Sequence, residues 1–553
     1  MKNIFKPVLI LLVIALSAFL SITSFFLPKT VSVNAPEDQF SSVRAMKHVE
    51  KIAVKEHPIG SEENRKVRDY IVKDLKALEL TPEIHKTYVE NTLWGEIRSG
   101  DIENISAVLD GTDKEADTIL MVAHYDSTPN GPGAADDASG VAVLLETARA
   151  LKSSSPLKND IIFLFTDGEE VGLLGAKAFV DQSLIVKDID LVVNFEARGN
   201  TGPVIMFETA DKNGWFMKEF KKSVASPVAY SFAYDIYQRM PNDTDFTMFK
   251  QAGKSGFNFA AIDGFETYHS PADNPANLNQ RTLQQEGEFS LALAEHFGNL
   301  SLENRETSNA VYFTMAKSIF VLYSEWWTVP LSVSTFVLFF IAALIGFKRK
   351  LLSFKETFLG LLTSLLLIVL AGGLGFVLVK IFDVIYADKG RMLTTEEIDF
   401  IIKRSNIWMI GLILLTTITV WSIYRLVRRK MTYQNMFYGL LLLMILLAAV
   451  SSQLFKGASY LFVWPAFFTL TGLIFSLLNK KQNTKYLPLF ILSAASSILI
   501  YLPVGYLLFE SMTFLMGAVI NVIISLPLSI IILSILLFSD KKIISEDIAK
   551  FNK

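Results

Sequence analysis

A chain of 553 residues is too long for one compact domain, so two or more are expected. Apolar residues make up 51% of it and mean hydropathy is +0.37, which fits a chain partly embedded in a bilayer. The net charge of −3 offers no basic field for nucleic acid, and without cysteine any metal must be held by His and carboxylates.

Lys2 and Lys6 flank the start of an uncharged stretch, residues 7–27, long enough to span a bilayer. It reads as an N-terminal membrane anchor (1–27) in preference to a cleaved signal, and in either case the segment after it is exported. Residues 28–310 have ordinary globular composition. Strand-like apolar runs alternate there with helical patterns, which predicts an α/β extracytoplasmic domain with a mixed, mainly parallel central sheet flanked by helices. Residues 311–328 carry Trp and Tyr and read as an interfacial linker. Seven apolar runs come next, near 329–347, 357–382, 406–424, 434–453, 458–478, 486–508 and 512–538. They predict an all-α, seven-helix transmembrane domain over 329–540 and a cytoplasmic tail over 541–553. Basic residues recur in alternate loops: Lys348, Arg349, Lys350 and Lys355; Arg425, Arg428, Arg429 and Lys430; Lys480, Lys481 and Lys485; Lys541 and Lys542. Those loops are cytoplasmic if the globular domain lies outside, which puts both termini inside. The loop 383–405, with Lys389, Arg391, Lys403 and Arg404, weakens the bias. Lys380, Asp383 and Glu510 sit near span ends, where snorkelling accounts for them, so no transport path is signalled.

Four segments of the globular half look like strand ends loaded with metal-ligand residues. The first ends in His124, Tyr125 and Asp126, where the Asp can accept the second ring N–H of the His. A glycine-rich loop then brings up Asp136 and Asp137 before a helix starting near Ser139, although an N-capping acidic turn looks the same. The third run leads into Asp167, Glu169 and Glu170. Adjacent glutamates beyond a buried strand repel each other unless a cation lies between them. The fourth ends in Glu196, and His269 lies farther on in a proline-punctuated loop. In open α/β sheets, sites form beyond the carboxyl ends of strands. Two His and three carboxylates there match two zinc ions sharing a bridging carboxylate, with one Glu spare as base. His48, His57, His85 and His296 read as surface residues. Arg198 and residues 235–250, including Asp243, Thr244 and Asp245, are candidates to line a pocket or are ordinary loop polarity.

Taken in order, His124-Tyr125-Asp126-Ser127, residues 133–140, residues 166–175, residues 194–199 and residues 268–273 resemble the di-zinc aminopeptidase family related to secreted leucyl aminopeptidases. The added multispan region is similar to that of the vacuolar membrane protease and endoplasmic reticulum metallopeptidase branch. The motifs cover about 120–275. The resemblance implies a zinc exopeptidase-like fold and two Zn ions. Asp136 would bridge them, His124 and Glu196 would complete one site, and Glu170 and His269 the other. It also implies Glu169 as general base, Asp126 orienting His124, and Tyr268 beside the oxyanion. The implied function is a membrane-anchored aminopeptidase that hydrolyses peptide bonds with a metal-bound water, acting on peptide or protein N-termini at a lipid bilayer. Two other readings share the fold: an inactive peptidase-fold scaffold, and another zinc hydrolase or a glutaminyl cyclase-like enzyme. One residue departs from the pattern of many soluble members, which have Asp where Glu196 stands.

Overall fold

The computed structural model describes residues 5–113, 117–302, 305, 307–386, 395–479, 485–512 and 514–539. Lys2, Lys389, Arg391, Lys480, Lys481, Lys541, Lys542 and the tail 541–553 lie outside them. The chain divides into two compact units, residues 25–314 with 320–323, and residues 1–24, 315–319 and 324–553.

The first unit is built on a seven-stranded sheet. Its strands are β1 (Glu83–Leu93), β2 (Glu96–Leu109), β3 (Thr118–His124), β4 (Asp160–Thr166), β5 (Ile189–Ala197), β6 (Thr201–Thr209) and β7 (Gly256–Asp263). They lie in the order β1-β2-β4-β3-β5-β7-β6. The central four, β4-β3-β5-β7, are parallel, and β1, β2 and β6 are antiparallel to their neighbours. The mixed, mainly parallel sheet expected from the sequence is therefore present.

Alternation along the strands explains the layering. Ile119, Met121 and Ala123 of β3 join Phe163 and Phe165 of β4 in one core. Leu120 and Val122 join Ile162 and Leu164 in the other. Successive side chains of a strand point to opposite faces, so a continuous apolar run demands helices on both. On the first face the helix Ala138–Lys152 presents Val141, Leu144, Leu145 and Ala148, all fully buried. Each such valine or leucine side chain withdrawn from water contributes about 1.5–3 kcal/mol. Register places His124 beside Thr166 and Glu196 beside Ala260, so the carboxyl ends of the four parallel strands share one rim.

In the second unit, eight helices among the described residues are long and apolar enough to cross a membrane. Five of the seven apolar runs after Trp327 fall within one of them, the runs 486–508 and 512–538 overlap Leu487–Ser511 and Gly517–Ser539, and the first helix is Phe5–Ile22. Small residues let backbones meet: a Cβ on Gly439 would lie 2.3 Å from the carbonyl carbon of Gly360. Asn521 accepts from Thr416 and donates to the Ala371 carbonyl, both at 2.8 Å. The expected linker, residues 311–328, contains most of the strand Ala310–Ala316, all of the strand Ile319–Ser324 and the start of the helix Thr328–Lys348.

Candidate metal centre

Each candidate ligand leaves the sheet rim by a short route. His124 is the last residue of β3. Beyond β4, Gly168 adopts φ +74°, a left-handed turn that glycine accepts without cost, and the one-turn helix Glu169–Gly172 starts at once. Glu196 lies near the end of β5. His269 comes after β7 with φ +53°, an uncommon conformation for a non-glycine residue and one found at functional sites.

Asp136 stands at the centre. Its Oδ1 lies 3.1 Å from His124 Nε2 and its Oδ2 3.2 Å from His269 Nε2. Glu196 Oε2 is 3.7 Å from His124 Nε2, and Glu170 Oε2 is 3.0 Å from His269 Nε2. His124, Asp136 and Glu170 also offer one ligand atom each within 4.8 Å of one another. Two donors on one tetrahedral zinc are roughly 3.3 Å apart, given Zn–N and Zn–O bonds near 2.0–2.1 Å. Nitrogen and carboxylate donors of this kind suit zinc. Glu170 Oε1, Glu196 Oε1 and His269 Nε2 are buried and make no hydrogen bond. Buried polar atoms left without partners are costly unless a cation satisfies them.

The surrounding polar groups orient this set. His124 Nδ1 donates to the backbone carbonyl of Asp126 at 3.0 Å, which leaves Nε2 facing Asp136. The Asp126 carboxylate, expected to take that ring proton, is farther, at 3.5 Å. It accepts instead from the Glu169 and Glu170 backbone N–H groups, at 3.1 and 3.3 Å, where the exposed N–H groups of a helix start attract an anion. Asp137 points away from the ligands. It caps the next helix through Gly140 N–H at 2.9 Å and accepts from His124 N–H at 3.3 Å. Asp167 also turns away, accepting from Asn64 and from the Glu103 N–H, each at 3.0 Å. Tyr268 stacks on the His269 ring, with centroids 3.7 Å apart.

Electrostatics record an excess of negative charge. Burial opposes protonation of His124, but Asp126, Asp136 and Glu196 outweigh it and hold its pKa well above the imidazole value. His269 is likewise raised, to about 10, because Asp136 and Glu170 overcome the effect of burial. Burial and the Asp136 charge push Glu170 up to about 8. Glu169 is driven well above its ordinary value by burial and by Glu196. Asp136 goes the other way: burial would raise it, and the two imidazoles hold it below the usual carboxylate range. Carboxylates that resist ionising together mark a site built around a cation.

Several residues escaped the sequence reading. Asp273 accepts from the Ala135 and Asp136 N–H groups, at 2.7 and 3.2 Å. Glu286, on the helix Gln280–Phe297, is 2% exposed and pushed up to about 8 by burial, with Glu196 adding to the shift. His57 is buried and not a surface residue. Its backbone N–H donates to Ser127 Oγ at 2.9 Å and its Nδ1 to the Lys55 carbonyl at 2.8 Å. His48 is mostly covered, 2.8 Å from the Tyr70 hydroxyl, and His296 pairs with Glu219 at 3.0 Å. Of the pocket candidates, Asp245 is buried and accepts from Thr166 Oγ1, and Asp243 accepts from Thr247 at 3.0 Å.

Residues 104–294, which hold all the candidate ligands, match the model of Peptidase family M28. The matched stretch spans the motifs quoted from the sequence and the donor cluster of His124, Asp136 and Glu170. Endoplasmic reticulum metallopeptidase 1 of Mus musculus is 31% identical over 199 residues, 35% of this chain and 22% of that protein. The vacuolar membrane protease of Candida tropicalis is 28% identical over 306 residues, 52% of this chain and 33% of that protein. The chain thus spans about a third or less of the length of these curated relatives. A zinc aminopeptidase from Bacillus subtilis is 16% identical, with a TM-score of 0.39, over 49% of this chain and 98% of that one.

Proposed function

We propose that the chain is a membrane-anchored di-zinc metallopeptidase that removes N-terminal residues from peptides on the outer side of a membrane, with both termini cytoplasmic. The observation that carries this reading is the division of Asp136: its two oxygens face two different histidines, and each histidine also meets a glutamate. His124, Asp136 and Glu196 would hold one zinc, and Asp136, Glu170 and His269 the other. Zinc supplies Lewis acidity and brings the pKa of water near neutrality. The three ligand carboxylates offset most of the charge of two such ions, which tolerates a substrate ammonium nearby.

Glu169 is not engaged as a ligand in this scheme. Its raised pKa suits a group that takes a proton from the attacking water and passes it to the leaving amine. Tyr268 is strongly biased toward its protonated form by burial and by Asp136, so its hydroxyl serves as a donor to the developing oxyanion. Asp126 acts through geometry, fixing the His124 tautomer with its carbonyl and the Glu169–Glu170 turn with its carboxylate.

A one-metal reading, as in a different hydrolase or a cyclase, draws on the compact triple of His124, Asp136 and Glu170. Zinc analysis of the purified full-length protein separates the two. The di-zinc reading expects two ions per chain, and one ion at saturating zinc would reject it.

A further inference from the structure

We propose that Arg198 recognises a carboxylate of the peptide substrate, either the α-carboxylate of a di- or tripeptide or the side chain of an acidic residue just past the scissile bond. The inference rests on the peptidase reading and deepens it.

Arg198 comes directly after β5, two residues beyond Glu196, and its N–H donates to the Ala261 carbonyl at 2.9 Å. That bond fixes its backbone on the site rim. The guanidinium carbon lies 4.6 Å from the Phe265 ring centre and 5.5 Å from that of Tyr268. Tyr268 in turn stacks on His269. The cation therefore stands one aromatic ring away from a metal-facing imidazole. This is within reach of a peptide extending one or two residues past the scissile carbonyl, each adding about 3.5 Å. With the Asn242 amide in the orientation that satisfies both its groups, its oxygen accepts from Arg198 Nη1 at 3.3 Å.

Among the described residues no carboxylate pairs with this guanidinium, although carboxylates crowd the neighbouring site. An arginine carries five N–H donors in a planar fork. The aromatic contacts consume none of these donors and Asn242 takes one, so others remain for bidentate binding of a carboxylate. A purely stacking role for Arg198 would make no distinction between an acid and its amide.

The test uses the zinc-loaded full-length protein in detergent carrying Glu169→Gln, so that binding is read without turnover. Affinities are measured by calorimetry for Leu-Gly, Leu-Gly-amide and Leu-Asp-amide. The proposal expects at least one carboxylate ligand to bind about 10–100-fold more tightly than Leu-Gly-amide, the range for a charge-assisted bidentate pair. Tighter binding of Leu-Gly assigns the α-carboxylate, and tighter binding of Leu-Asp-amide the side chain. Adding Arg198→Ala should collapse that ratio to about 1–3, and Arg198→Lys, which keeps charge but loses the fork, should give an intermediate value. Equal affinities for all three ligands overturn the proposal, as does a ratio unchanged by either substitution. Zinc content and melting temperature matching the parent show that the variants are folded. If Arg198→Ala is not, the Lys variant alone decides. Turnover of the unmodified protein is read separately, so failure of the peptidase reading leaves this result interpretable.

Discussion

Asp273 holds Asp136 by its backbone and not by its side chain. One oxygen of Asp273 accepts from the Ala135 N–H at 2.7 Å and the other from the Asp136 N–H at 3.2 Å. The Asp136 carboxylate is left to face His124 and His269. Asp273 therefore sets the position of the proposed bridging ligand without approaching the metals. Asp273→Ala is expected to weaken zinc binding roughly 10–100-fold, the usual cost of losing a partner behind a ligand. Zinc titration against a competing chelator measures it, and an unchanged affinity would remove Asp273 from the site's support.

Asp136→Asn leaves the shape nearly intact and removes the charge. Both zinc content and rate should fall, because each proposed metal loses an anionic ligand. A variant with full zinc stoichiometry would count against a bridging role.

Glu169→Gln should separate binding from chemistry. Zinc content should stay at the wild-type level while turnover drops about 10²–10⁴-fold, the range for a general base. Near-wild-type hydrolysis would exclude Glu169 from proton transfer.

The metal-free protein should lose stability as pH rises. Glu170 is raised to about 8 from 4.5, and His269 to about 10 from 6.5. A raised pKa means that the folded state binds the proton more tightly than the unfolded one. The resulting stability is complete below the unfolded value and lost as pH climbs through the folded value. The windows run from 4.5 to about 8 and from 6.5 to about 10. Zinc replaces those protons, so the rise in melting temperature on adding zinc should grow between about pH 6 and pH 9. A zinc-induced shift independent of pH would contradict this origin of the raised values.

Much of the arrangement is legible in the sequence because a buried parallel strand has a plain signature. Short continuous apolar runs such as 119–123 and 161–165 read as sheet interior, and the polar residues that end them share one rim. His124, Glu170 and Glu196 are picked out as candidates in that way. Asp273 is not, because its work is done on backbone N–H groups more than 130 residues away, and no spacing reports that. The burial of His57 escapes for a similar reason: it depends on Ser127, brought near by the turn after β3. The division of labour within Asp126, carbonyl to His124 and carboxylate to the Glu169 turn, depends on angles that a sequence does not encode. The small-residue contact of Gly360 and Gly439 is equally a matter of which helices pair.

The proposed activity is zinc-dependent removal of N-terminal residues. The most direct measurement is hydrolysis by the full-length protein of matched peptides with free or acetylated N-termini, each with and without chelator. The account predicts stepwise release of N-terminal residues from the free peptides, abolished by chelator and restored by zinc, and no cleavage of the acetylated ones. Cleavage of acetylated peptides at a comparable rate, or cleavage of free peptides that survives metal removal, would contradict it.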